Sequence, residues 1–354
     1  MVDYKKELGE LILIVAKENA SDLHLAVGRH PTLRIAGTLV PLIKKPILAP
    51  DDVKGLVLSM LSEEDQGILA RDKDVDFSFS FEDKVRFRGN AFYQKGFLGS
   101  ALRLIPANVK SMAELSLPEA LTDFTRREQG FFLVVGPVGH GKSTTLAAMI
   151  DYINHERAEN IITVEDPIEY IFTQDKSIIN QREIRSDAHD FQTALRSMFR
   201  QDINVGMIGE MRDRETISTA VTAAETGHLI FSSLHTNNAA QTIDRIIDSF
   251  PSDQQGQISL QLSGAILGIF SQRLIPRISG GLIPAYELLI ANNAVRNLIR
   301  ENRTHEIDLV IETGFEDGMM SLNRSLAALL RQGEITTENA YAYSLSPNGL
   351  EGLI

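Results

Sequence analysis

The sequence contains no cysteine, which excludes disulfide bonds and cysteine-ligated zinc. Basic residues are also in the minority, since 35 Lys and Arg stand against 47 Asp and Glu, giving a formal net charge of −12. Binding to a phosphate backbone requires clustered Lys and Arg. The acidic balance therefore argues against nucleic acid as the main partner.

Long apolar runs are missing as well. The run from Leu11 to Ala16 is far shorter than the roughly 20 residues that cross a bilayer. Residues 1–7 lack the apolar stretch of a signal peptide. We therefore expect a cytoplasmic protein without direct membrane insertion, which meets a membrane only through partner proteins. A length of 354 residues allows two domains.

The first hundred residues predict a small α+β domain. Apolar residues between 8 and 16 recur at helical spacing, and residues 21–25, 75–81, 85–93 and 99–105 have the character of strands. A turn is predicted at residues 82–84. The period of two places Arg86 and Arg88 on one face of their strand, and Val85 and Phe87 on the other.

After residue 105 the pattern changes. Residues 106–117 lack periodicity and are the predicted linker. Apolar strands at 131–135, 161–164 and 229–234 then alternate with helical stretches, which predicts a parallel sheet covered by helices. We expect an α/β fold with domains at 1–105 and 118–354, and a helical C-terminal part from about residue 275.

A phosphate-binding loop follows the strand at 131–135. The pattern G-x-x-x-x-G-K-S/T is formed by Gly136, Pro137, Val138, Gly139, His140, Gly141, Lys142 and Ser143, with Thr144 opening the next helix. Glycines let the backbone curl around a phosphate, and the helix N-terminus faces the anion. Lys142 would reach the β- and γ-phosphates, and the Ser143 hydroxyl would bind Mg²⁺. The alternative is a chance glycine turn, which the flanking strand and helix disfavour.

Carboxylates follow two of the apolar strands. Glu165 ends the strand at 161–164, where a carboxylate can orient water or hold a magnesium-bound water; a solvated strand end is the equal alternative. Glu210 follows the strand at 205–208, with Gly209 where a Walker B motif usually has Asp. Arg212 and Asp213 could equally cap the next helix.

Histidines lie at both ends of the strand at 229–234. His228 is a candidate catalytic residue, but it follows Gly227 and could instead cap a helix C-terminus. His235 lies at the carboxyl end of the strand and is the better candidate for contacting the γ-phosphate. His140, beside the loop lysine, predicts an imidazole whose pKa rises when nucleotide binds. Its alternative is a side chain that points to solvent.

Four segments in this order resemble those of the secretion ATPase superfamily, which includes type II secretion and type IV pilus motors. GPVGHGKST resembles its Walker A motif, VEDPIEY its Asp box, IGEMRD its Walker B motif and TGHLIFSSLHTN its His box. The resemblance runs from about Ser21 to Ala340. It departs from the common pattern at Val138 and His140, where Thr and Ser are usual.

Two further segments resemble the PilT-type retraction branch. Residues 294–301 read AVRNLIRE, close to the AIRNLIRE of retraction ATPases, and SDLHL opens the similarity in the first domain. Extension ATPases usually carry a further domain and often a four-cysteine zinc site, which this cysteine-free sequence cannot form. The 294–301 segment predicts a helix with an apolar stripe and with Arg296 and Arg300 turned outward.

The resemblance implies a PAS-like first domain, a RecA-like second domain and a homohexameric ring that binds ATP and Mg²⁺ between the domains. Glu210 and Glu165 would orient the attacking water and, with Ser143, hold the magnesium ion. Arg86, Arg88 and Arg103 match the arginines that reach the phosphates; an exposed basic strand face is their alternative. An inner-membrane pilus platform protein is the implied partner, and pilus retraction the implied role. The alternatives are a pilus-assembly or secretion ATPase and a nucleotide-dependent interaction protein with little turnover.

Overall fold

The computed structural model describes residues 3–35, 37–82, 85–106 and 108–354. Asp83 and Lys84 of the predicted turn lie outside the described residues, as does Ala107 of the predicted linker. The chain divides into two compact units. The first comprises Met1–Asn108 with Glu169–Ile171, and the second comprises Val109–Ile168 with Phe172–Ile354.

The described part of the first unit combines helices with antiparallel strands. Its elements are α1 (Tyr4–Lys17), β1 (Asp22–Ala26), β2 (Thr32–Ile35), β3 (Thr38–Pro41), α2 (Pro50–Leu58), α3 (Glu63–Asp72), β4 (Asp74–Phe81), β5 (Val85–Gln94) and β6 (Phe97–Ile105). The strands form one sheet in the order β3-β2-β1-β6-β5-β4. Phe87 is fully buried on one face of β5 and its neighbour Arg88 is exposed on the other, which confirms the predicted alternation.

The second unit alternates strands and helices along most of its length. Its elements are α4 (Leu121–Thr125), β7 (Gly130–Val135), α5 (Lys142–Glu156), β8 (Asn160–Glu165), β9 (Ile178–Glu183), α6 (Phe191–Met198), β10 (Val205–Ile208), α7 (Arg214–Glu225), β11 (Leu229–Leu234), α8 (Ala239–Asp248), α9 (Ser252–Ala265), β12 (Ile266–Pro276), β13 (Leu282–Ile290), α10 (Asn293–Arg300), α11 (Ile307–Thr313), α12 (Leu322–Arg331), α13 (Thr337–Tyr343) and α14 (Pro347–Glu351).

These strands form a seven-stranded sheet in the order β13-β12-β7-β11-β10-β8-β9, parallel except for the hairpin of β12 and β13. β7, β10 and β11 are buried at every residue, as expected of central strands covered on both faces. Parallel pairing brings the carboxyl ends of β7, β8, β10 and β11 to one edge of the sheet, where ligands bind in open α/β folds.

The helical C-terminal part begins later than the sequence predicted. Residues 282–290 form β13, so the continuous run of helices starts at α10 rather than near residue 275. The sequence LIPAYELLI is a short apolar run between Gly281 and the asparagine pair at 292–293, and such a run is compatible with a helix or a strand. Its antiparallel pairing with β12 makes it a strand. In the part of the chain that the structure describes, no helix combines the length and hydropathy needed to cross a membrane.

Candidate active site

The loop between β7 and α5 has the shape that its glycines predict. Gly136, Gly139 and Gly141 have φ values of 142°, 79° and 80°, a region that residues with a Cβ rarely adopt. A Cβ on Gly136 would lie 2.3 Å from the carbonyl oxygen of Gln272. No side chain caps the N-terminus of α5. The N-terminus of a helix attracts an anion through its dipole and its N–H groups.

Lys142, the first residue of α5, is buried and turns back over this loop. Its Nζ donates to the carbonyl oxygen of Pro137 at 3.0 Å and lies 3.0 Å from Nδ1 of His235. Because an ammonium group can only donate, the His235 Nδ1 accepts this bond and its proton sits on Nε2. Ser143, the next residue, is exposed.

A carboxylate completes this cluster. His235 follows β11, and its Nε2 lies 3.7 Å from Oε2 of Glu210, which follows β10. Glu210 also forms a close ion pair with Arg212. Burial first, and then the nearby Lys142, lower the pKa of His235 below its usual value. The imidazole therefore stays neutral at pH 7 between a cation and a carboxylate.

The second predicted carboxylate has different neighbours. Glu165, the last residue of β8, is buried, and its Oε1 accepts from Thr163 Oγ1 at 2.6 Å and from Gln181 Nε2 at 3.4 Å. Glu210 approaches the loop lysine through His235, which lies between them. In the described ranges, no group of three or more His, Asp or Glu side chains could by itself hold a metal ion.

The structure decides which of two neighbouring residues, Arg212 or Asp213, caps α7. Asp213 accepts from the N–H of Thr216 at 2.9 Å and from its hydroxyl at 2.8 Å, so it is the helix cap. Arg212 does not share that role, because its guanidinium pairs with Glu210. Hydrogen bonding to this carboxylate raises the pKa of Arg212.

His228 lies apart from this cluster within the second unit. It precedes β11, at the opposite end of the strand from His235, and its Nδ1 lies 3.1 Å from the carbonyl oxygen of Ala223. Its main-chain N–H donates to the same oxygen at 3.2 Å. His228 thus closes the C-terminal end of α7, and the structure does not bring it to the loop of its own chain.

His140 does not point to solvent, contrary to the alternative weighed from the sequence. The main-chain N–H of Leu274 in β12 donates to its Nδ1 at 2.9 Å, and its ring meets the ring of Tyr343 edge-on at 6.3 Å. Burial, followed by the charges of Arg273 and Lys142, lowers the pKa of His140. A neutral imidazole is required for this bond, since a protonated Nδ1 cannot accept it.

Gln272 is a residue of this site that sequence reasoning missed. It is 2% exposed in β12, and its amide bonds to Thr145 and to the carbonyl oxygen of His140. The available signal was the polar run Ser271-Gln272-Arg273 in the middle of the apolar strand β12. Polar side chains in such a run must find hydrogen-bond partners when they are buried.

The three candidate arginines lie on one face of the sheet in the first unit. Arg103 stands opposite Arg88 on β5 and opposite Asp22 on β1, and its Nε donates to Asp22 Oδ1 at 3.0 Å. Arg34 is 3.6 Å from the same carboxylate. Burial is the largest single influence on Asp22 and acts to raise its pKa, but the hydrogen bonds from Ser21 and Arg103 together with the charge of Arg103 hold that pKa below its usual value. Arg86 follows on the same face, two residues before Arg88.

The 294–301 segment forms a helix as predicted, with Asn292 as its cap, but Arg296 is not turned outward. Its guanidinium donates to the carbonyl oxygens of Ser263 and Gly264, both at 2.6 Å, of Ile266 at 2.8 Å and of Ala291 at 3.2 Å. The prediction failed because helical spacing alone does not show the C-terminus of α9 beside this face. Arg300 is exposed as predicted.

A family model described as "Type II/IV secretion system protein" matches residues 5–282. The type IV pilus retraction ATPase PilT of Pseudomonas aeruginosa is 42% identical over 334 residues, covering 94% of this chain and 97% of that protein. A twitching motility protein of Neisseria gonorrhoeae is 43% identical over 88% of this chain and 83% of its own length. A crystal structure of the pilus retraction motor PilT with bound ADP superposes with a TM-score of 0.91 at 46% identity, covering 97% of this chain and 98% of that one.

Proposed function

The chain belongs to the type II/IV secretion system protein family, and from this membership we propose that it is the ATP-hydrolysing motor that retracts a type IV pilus. The observation that carries the proposal is the cluster of Lys142, His235 and Glu210 beside the glycine loop. A cation for phosphate and a carboxylate for water lie on either side of His235, at 3.0 Å from its Nδ1 and 3.7 Å from its Nε2. Phosphoryl transfer requires this kind of positioning and charge compensation.

The residues of the loop fit a nucleotide phosphate. Three glycines with positive φ open the backbone, and the loop leads into the N-terminus of α5, whose dipole favours an anion. Lys142 would exchange its bonds to Pro137 and His235 for phosphate oxygens, because an anion is the stronger partner of an ammonium group. The Ser143 hydroxyl, together with phosphate oxygens, would hold Mg²⁺, which neutralises phosphate charge when it is bound.

Glu210 is our candidate for orienting and activating the attacking water. Released from Lys142, the neutral His235 can offer its Nδ1 as an acceptor and its Nε2 proton as a donor at the site. Glu165 remains the second candidate carboxylate, held by Thr163 and Gln181. We propose Arg86, Arg88 and Arg103 as the arginines that act on phosphate charge, in keeping with the family resemblance. No role in this chemistry is assigned to His228.

We further propose a homohexamer that works in the cytoplasm at the inner face of the membrane and pulls on a platform protein of the pilus machine. The exposed side of α10, including Asn297 and Arg300, is a candidate contact for that partner. Support comes from the similarity of residues 294–301 to the retraction segment.

Steady-state ATP hydrolysis by the purified protein and complementation of a deletion strain test the proposal together. The wild-type gene should restore twitching and a normal pilus number. Lys142→Ala should lack hydrolysis and leave cells hyperpiliated, because the charge opposite the phosphates is lost. Wild-type protein that hydrolyses no ATP, or a deletion that leaves twitching intact, would refute the assignment.

A further inference from the structure

Gln272 lies where β12 passes the start of the phosphate loop. β12 pairs with β7 so that Ser271 stands opposite Val135, the last residue before the loop. The next residue in β12 therefore lies beside Gly136. This explains why the carbonyl oxygen of Gln272 would be only 2.3 Å from a Cβ at that glycine.

The side chain of Gln272 contacts the loop at its far end as well. Its Oε1 accepts from the hydroxyl of Thr145 in the first turn of α5 at 2.6 Å, and its Nε2 donates to the carbonyl oxygen of His140 at 2.9 Å. A Cβ on Gly141 would lie 2.9 Å from the same Nε2. One buried residue thus touches the beginning of the loop, its end and the helix that carries Lys142.

Only an amide of this length offers both an acceptor and a donor in these places. A glutamate could accept from Thr145 but would set a carboxylate oxygen against the carbonyl of His140. A methionine would fill similar volume and make neither bond. A loop rich in glycine loses much conformational entropy when it is ordered. Fixed contacts at both of its ends therefore reduce the ordering free energy that nucleotide binding must supply.

We propose that Gln272 is a positioning residue for nucleotide binding, which holds the phosphate loop and the first turn of α5 in the shape that receives the phosphates. This inference rests on the proposed function, namely that the loop binds ATP. It assigns to β12 a role that none of the four sequence motifs contains.

Gln272→Met is the test, and Asn154→Leu is its matched control. Asn154 is equally buried, and its amide also donates and accepts, to the carbonyl of Thr173 at 2.8 Å and from the N–H of Asp175 at 3.0 Å. It lies at the other end of α5, away from the loop. Affinity for a fluorescent ADP analogue, the kcat and KM for ATP, and the melting temperature without nucleotide are measured for both variants.

Both variants should lose similar thermal stability, but only Gln272→Met should bind ADP more weakly, by roughly tenfold, as two lost hydrogen bonds predict. Thr145→Val, which removes one of these bonds with little change in volume, should weaken ADP binding less. Added to Gln272→Met it should have almost no further effect. If Gln272→Met does not fold, Thr145→Val alone tests the inference through its ADP affinity.

Equal ADP affinities for Gln272→Met, Asn154→Leu and wild type would overturn the inference, and so would additive effects of Thr145→Val and Gln272→Met. Either result would leave the proposed function standing. Wild-type protein that binds no nucleotide would instead refute the proposed function itself.

Discussion

Replacing Arg296 by alanine should unfold the second unit at a lower temperature. The guanidinium donates to four carbonyl oxygens, three of them at the end of α9 and the start of β12. The last carbonyls of a helix have no partner within it, and a cation at this end also interacts favourably with the helix dipole. The variant removes both kinds of stabilisation at once.

The loss of stability expected for Arg296→Ala depends on the carbonyl oxygens that lose their donor. Hydrogen bonds from a charged donor contribute about 1.5–3 kcal/mol each, but they do not add fully, and Arg296 is only half-buried, so water can replace part of them. We expect a loss of about 2–4 kcal/mol, which lowers the melting temperature of a unit of this size by roughly 4–16 °C.

Arg300→Ala is the matched control, because it removes the same side chain from an exposed position on the same helix. Its free energy of unfolding should change by less than about 0.5 kcal/mol. Scanning calorimetry or thermal circular dichroism of both variants decides the matter. If the two variants melt at the same temperature, Arg296 does not stabilise the end of α9, and its hydrogen bonds contribute no net free energy of folding.

Three further outcomes follow from the site and its surface. Glu210→Gln should slow ATP turnover by roughly a hundredfold or more while ADP still binds, because Glu210 lies 3.7 Å from the His235 side chain that contacts Lys142; equal rates for wild type and Glu210→Gln would contradict this. The lowered pKa of His140 means that its neutral form is the one held by Leu274, so ADP affinity should decline as pH falls below the ordinary value of 6.5. His140→Ser should flatten that decline, and an affinity that instead rises in acid would favour a phosphate-bound imidazolium. Arg300→Ala should fold and hydrolyse ATP but fail to restore twitching, and full complementation would exclude this residue from partner binding.

Much of the second unit was predictable from local sequence. The spacing of the glycine loop fixes its backbone, and parallel strands must bring Glu165, Glu210 and His235 to one edge of the sheet. The place of His235 between Lys142 and Glu210 was not predictable, because it depends on how side chains after separate strands share a small volume. His235 Nδ1 lies 3.0 Å from Lys142 Nζ, and its Nε2 lies 3.7 Å from the Glu210 carboxylate.

The residues that escaped prediction all contact something distant in sequence. Gln272 is separated from Thr145 by 127 positions and Arg296 from Ser263 by 33, so neither local periodicity nor motif spacing contains these bonds. Arg296 shows the limit most clearly. Its place on a polar helix face suggested a surface residue, yet the same face meets the open end of another helix.

The contact between His140 and Tyr343 gives the phosphate loop a neighbour near the end of the chain. Tyr343 ends α13, and that helix is held to β12 by a bond from Asn339 to the carbonyl of Pro276 at 3.2 Å. The ion pair of Arg277 with Glu334 at 2.7 Å fastens the chain just before α13. A protease that cuts between α12 and α13 would therefore loosen one wall of the loop, and bound nucleotide should slow the appearance of that fragment.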